Sequence, residues 1–192
     1  MPKLWTETIA AHRREVRTAI LEATASLVAE HGIRGVTMAQ IAAQTGIGRA
    51  TLYKYFGDVE AILAAWHQVH IEQHLAELKR ARDENNDPGE RVRRVLERYA
   101  LIQHERRARH ATELVAQLHP GPAAQPEAER KLHVLLRGVL QDAARARRIR
   151  TDVSIDELVH FCVRSLAAAA DVASRSAVHR LVSVVTDGLH AN

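Results

Sequence analysis

Cysteine is nearly missing from this chain: of 192 residues only Cys162 carries a thiol. An intrachain disulfide and a four-cysteine zinc site are therefore excluded. Cys162 sits in an apolar helical stretch and reads as a buried structural thiol rather than a redox sensor. Aromatic residues make up 4% of the chain, which argues against a pocket walled by many rings. Only five prolines and nine glycines interrupt it, and Ala, Leu, Arg and Glu are abundant. That balance favours an all-α protein. No apolar run reaches the ~20 residues that span a bilayer, and the N-terminus lacks the apolar core of a signal peptide. The expectation is a cytoplasmic protein with no membrane partner. Also missing are HExxH, GxSxG, a glycine-rich phosphate loop and a spaced cysteine set. Histidines and acids occur without that context, so neither catalysis nor a cofactor is expected.

What is present is enough apolar side chain, 46% of residues, for one or two packed domains. The formal net charge is +4. Its distribution says more than its size. From Arg34 to Phe56 the charged residues are Arg34, Arg49 and Lys54, with no acid among them. An unopposed positive surface suits a phosphate backbone. Without a supporting motif it would read as a solvated basic face.

The motif lies at Thr37–Glu60, TMAQIAAQTGIGRATLYKYFGDVE. Thr37 and Gln40 form a capping box, in which the hydroxyl accepts from a backbone N–H that a new helix leaves unsatisfied. Ile41, Ala42 and Thr45 give a short helix with a small apolar face, and Gly46 ends it. Ile47 is the expected plug of the turn and Gly48 the start of the next helix. Along Arg49–Phe56, Leu52 and Phe56 fall on the inward face, which leaves Arg49, Thr51, Tyr53, Lys54 and, at the edge, Tyr55 on the other. Helix, glycine turn, helix is the helix-turn-helix pattern, whose second helix enters the major groove.

With His31-Gly32 before it and the run Thr51-Leu52-Tyr53-Lys54-Tyr55-Phe56 within it, the stretch resembles the DNA-binding domain of TetR-like bacterial transcriptional regulators. The resemblance covers roughly the first third of the chain. It departs at Gly48, where serine is usual, at Ala50, where glycine is usual, and at Val59, where many members carry a lysine. It implies contacts to DNA from Thr37, Arg49, Ala50, Thr51, Tyr53, Lys54 and Tyr55. Arg49 is placed to bond guanine, Ala50 and Thr51 to touch bases, and Lys54 to reach a base or a phosphate. Tyr53 and Tyr55 match positions that contact the backbone. Half-buried packing is the alternative for the two tyrosines, and simple capping for Thr37.

The rest of the chain reads as further helices, about nine in all: near 12–31, 59–82, 89–106, 109–118, 127–148, 155–172 and 177–190 besides the motif pair. Residues 1–11 form a short N-terminal arm. The domain division is expected at 57/58, with 1–57 binding DNA and 58–192 binding ligand and dimerising. The last two helices carry more apolar surface than a hairpin buries. Leu158, Leu166, Val178, Val182, Val185 and Leu189 are the candidates for a homodimer face. A dimer would read an inverted-repeat operator. An effector pocket for a small molecule is implied by the resemblance, with Trp66, His70, Tyr99, Gln103 and Phe161 as candidates. Two rival readings stand beside a ligand-released repressor. One is a metal-responsive regulator using His67, His70 and His74, spaced by three and four in a chain of twelve histidines. The other is a helical protein-interaction adaptor.

Overall fold

The computed structural model describes residues 3–108 and 124–190, and within them it holds eight α-helices and no strand. The helix expected at 109–118 lies outside the described residues. The described residues form two compact units, 3–70 and 71–108 with 124–190. The boundary between the two compact units falls inside the helix Val59–Asp83.

The first unit begins with α1 (Lys3–His31), which absorbs the expected arm. After Pro2 nothing in KLWTETIAA breaks a helix. Gly32, at φ 71°, stops α1, and its N–H donates to the Val28 carbonyl at 2.9 Å. A single 3-10 turn, Ile33–Gly35, leads into α2 (Met38–Thr45) and α3 (Arg49–Tyr55). The long helix α4 (Val59–Asp83) follows. Asp58 caps it, accepting from the Ala61 N–H at 2.7 Å. Ile20, Ile41, Leu52 and Ile62 are wholly buried where these helices meet. Each such side chain stabilises the unit by ~1.5–3 kcal/mol. Thr24, buried among them, donates its hydroxyl to the Ile20 carbonyl at 2.8 Å and so leaves no unsatisfied polar group.

The second unit is built around α5 (Pro88–Ala108), which packs against α6 (Ala124–Arg145), α7 (Ile155–Ala167) and α8 (Arg175–Asp187). Asp87 caps α5 through the Glu90 N–H at 2.9 Å, and Pro88 takes the first helical position, where its missing N–H costs nothing. Ser154 and Glu157 form a capping box at the start of α7. That helix is shorter than expected and closes in a 3-10 turn at Ala168–Ala170. His104 on α5 holds the turn, with Nδ1 3.2 Å from the Ala169 carbonyl. Ser174 caps α8, its hydroxyl accepting from the Ala177 N–H at 3.2 Å. Polar contacts tie the packing from outside: the His179 ring on α8 lies 3.1 Å from Glu97, and Arg98 pairs with Glu77. Cys162 is wholly buried, and burial pushes its thiol up to about 12.

Candidate nucleic-acid interface

Local chemistry builds the α2–α3 pair. The Thr37 hydroxyl accepts from the Gln40 N–H at 3.3 Å, while the Gln40 side chain accepts from the Thr37 N–H at 2.8 Å. Both orphan donors of the helix start are thereby satisfied. Gly46 takes the left-handed conformation, φ 69° and ψ 14°, where a β-carbon would clash with the backbone, and its N–H closes on the Ala43 carbonyl at 3.4 Å. Ile47 is half-buried against the core rather than fully enclosed. Gly48 then opens α3 without a side-chain cap.

Leu52 at 0% exposure anchors α3, and Phe56 at 7% anchors the residue after it. Rotating those two inward leaves Arg49, Ala50, Thr51, Tyr53 and Lys54 exposed. Tyr53 is 55% exposed, which no packing role requires. Tyr55 differs, being half-buried against the core, so its packing role is real. Thr37 is exposed while serving as a cap. Arg49 occupies the first position of α3, where the helix dipole disfavours a cation. Among the described residues no carboxylate pairs with Arg49, whereas an anionic partner would reward that placement. The guanidinium of Arg17 on α1 stands 4.7 Å from the centroid of the Phe56 ring, beside the end of α3.

A helix-turn-helix pair carrying an acid-free cationic face is thus present in three dimensions. The family model for bacterial regulatory proteins of the TetR family matches residues 20–66. A second, for the C-terminal domain of SbtR-like transcriptional regulators, matches residues 87–191, more than half of the chain. The chain belongs to the TetR family of bacterial transcriptional regulators.

Among curated relatives, uncharacterized HTH-type transcriptional regulators of Mycobacterium tuberculosis and Mycobacterium bovis are each 39% identical over 59 residues. That match spans 31% of this chain and 31% of theirs. Among solved structures, a TetR/AcrR-family regulator from Thermobifida fusca superposes with a TM-score of 0.79 at 17% identity, covering 91% of this chain and 98% of that one. FadR from Bacillus subtilis, solved in complex with stearoyl-CoA, gives 0.66 at 18% identity, over 90% and 99%. At that identity the likeness is one of fold.

The other candidate residues of the TetR-family chain lie outside α3. Leu158, Leu166, Val178, Val182, Val185 and Leu189 are each at most 4% exposed within a single chain. They lie in this chain's own core. The apolar side chains left outside on the same two helices are Phe161, 42% exposed, and Val184, 67% exposed. Phe161, expected in a pocket, instead stands against Gly188 at the end of α8. In the first unit Trp66 and His70 stack, ring centroids 3.9 Å apart, and His70 Nδ1 lies 3.0 Å from the Trp66 carbonyl. In the second, Tyr99 is buried and Gln103 half-buried, one turn apart on α5. Among the described residues no group of three or more His, Cys, Asp or Glu is placed to hold a metal ion.

A cleft of about 730 Å³ opens within the second unit between α4, α5 and α6. None of the five pocket candidates lines it. Its charged wall comprises Lys79, Arg82, Arg91, Arg130 and Lys131 with Asp83 and Asp142. Leu75, Val134, Leu135, Gly138 and Val139 supply the apolar part. The Arg82 hydrogen bond holds the Asp83 carboxyl below the usual carboxylate range, and Arg130 does the same for neighbouring Glu127.

Proposed function

We propose that this TetR-family regulator is a cytoplasmic homodimeric repressor that holds an inverted-repeat operator and releases it when a small molecule binds. Residues 1–57 read the DNA; residues 58–192 dimerise and sense the effector. The observation that carries the reading is the outward face of α3, where Arg49, Thr51, Tyr53 and Lys54 are all exposed on a helix fixed from behind by Leu52. One such helix reads a few base pairs. Two, related by a dyad, read half-sites about 34–36 Å apart or multiples of that.

Phe161 and Val184 support pairing of α7 and α8 with a second copy, because apolar side chains of that exposure are stabilised by a partner. The stearoyl-CoA bound by the Bacillus subtilis FadR supports a small-molecule effector for this architecture. Release then follows from a population shift: the effector binds more tightly to a form whose recognition helices no longer match the operator spacing. The chain acts by binding, not by catalysis.

Selection of bound sequences from random duplex DNA, with purified full chain at fixed salt, tests the reading. An inverted repeat is expected. Recovery of a single unrepeated half-site would remove the dimer, and recovery of no motif would favour a protein-interaction adaptor.

A further inference from the structure

Cations outnumber carboxylates in the cleft between α4, α5 and α6, and the carboxylates are shared. Asp83 pairs with Arg82 at 2.7 Å. Asp142 serves both Arg91 at 3.6 Å and Arg145 at 3.3 Å. Glu127 serves both Lys131, at 3.5 Å, and Arg130. Lys79 adds a further cation to the wall. Five cations, Lys79, Arg82, Arg91, Arg130 and Lys131, thus line one concave surface with two carboxylates, Asp83 and Asp142. Fields inside a low-dielectric cleft are focused, so the positive excess acts more strongly there than on a flat surface.

The apolar side of the cleft is equally unfinished. Val134 is 66% exposed beside the buried Leu135 and Val139. A β-carbon placed on Gly138 would meet nothing within 4 Å. Glycine within a helix costs ~1 kcal/mol relative to alanine, and the gain it leaves here is open space against an apolar wall. The volume of about 730 Å³ falls within the ~300–1,000 Å³ of small-molecule sites.

We propose that this cleft binds an amphiphile with an anionic head, its apolar tail along Leu75, Val134, Gly138 and Val139 and its head among Lys79, Arg130 and Lys131. The chemistry is a carboxylate or phosphate joined to a hydrocarbon chain. It names the effector class for the reading above and rests on that reading for its regulatory meaning.

The full chain is titrated calorimetrically with laurate, lauryl phosphate, lauryl alcohol and dodecyltrimethylammonium, each below its micelle threshold. Both anions are expected to bind at least about tenfold more tightly than the alcohol or the cation, the factor that ~1.4 kcal/mol supplies. Preference for laurate would identify a fatty carboxylate as the natural source, and preference for lauryl phosphate a phosphorylated amphiphile. Gly138→Leu fills the space and should weaken both anions at least about tenfold without lowering the melting temperature. Lys79→Ser with Arg130→Ser should remove the advantage of the anions over the alcohol while leaving alcohol binding unchanged. Equal binding of alcohol and anions, or anion binding unaffected by Gly138→Leu, would overturn the proposal. The same ligands are added to the complex with selected DNA. Anion binding without DNA release would keep the site and remove its effector role. Motif-specific DNA binding with no anion binding would remove the site and keep the DNA reading.

Discussion

Arg17 on α1 stands over the ring of Phe56, 4.7 Å from its centroid, and so joins the first helix to the residue that closes the recognition helix. The ring is 7% exposed, and the guanidinium covers one side of it while remaining wet itself. An exposed contact of this kind contributes ~0.5–1 kcal/mol. Arg17→Ala should lower unfolding free energy by about that much in urea titrations. It should also weaken operator and random DNA alike, because it removes a charge and steadies no base contact. A selective loss on operator alone would assign Arg17 to base reading instead.

Arg49 and Tyr53 share an exposed face but should fail differently. Arg49→Ala should cost ~1–3 kcal/mol on the selected operator and relax preference at one base pair. Tyr53→Ala should weaken all sequences by a similar factor, through a lost backbone contact. Fluorescence anisotropy with the operator, single-base variants and shuffled DNA separates the two. An Arg49→Ala chain that loses operator and shuffled DNA equally would show that Arg49 sits on phosphate.

The inner and outer faces of α7 and α8 predict opposite phenotypes. Leu166 is wholly buried, so Leu166→Ala should cost ~2–5 kcal/mol of stability. Val184 is 67% exposed, so Val184→Glu should leave the folded single chain intact and shift the sedimentation coefficient toward monomer. Phe161→Glu should act in the same way. Retention of the dimer in both charge variants would place the interface elsewhere.

Cys162 should be silent toward thiol reagents in the native protein and react on unfolding. Its thiol rises from 9.0 to about 12 because burial disfavours the thiolate. The sign of the pH effect follows. Below 9.0 both folded and unfolded chains keep the proton, and the thiol adds no pH dependence. Between 9.0 and about 12 only the unfolded chain loses it, so stability falls progressively as pH rises. Cys162→Ser buries a hydroxyl in that site and should flatten this part of the alkaline stability curve, read by denaturant titration.

Much of the fold was legible because its determinants are local. The capping boxes Thr37–Gln40 and Ser154–Glu157 are i, i+3 patterns, and both form. The glycine stop at Gly46 is a single-residue signal, as is the proline start of α5 at Pro88. The Ser174 cap escaped notice because Ser-Arg-Ser resembles a break, and only the bond to the Ala177 N–H distinguishes a cap from a loop. The exposed face of α3 was legible for the same local reason: burying Leu52 and Phe56 fixes the rotation of one short helix.

Which apolar side chains of α7 and α8 stay outside was not legible. Sequence alone determined that α7 and α8 are amphipathic, that the chain is helical, and that Arg49, Thr51, Tyr53 and Lys54 share the side of α3 opposite its anchor. Periodicity reports which side chains share a stripe, not what covers it. Tertiary structure decided that Leu158, Leu166, Val178, Val182, Val185 and Leu189 fill this chain's own core, because α5 lies against that stripe, and that Phe161 and Val184 stay outside. It also decided the cleft. Lys79, Arg91 and Lys131 belong to three helices, and their charges share one space only because those helices pack around it. A helix's rotation is set within a turn or two of sequence, whereas a concave surface is a property of several helices at once.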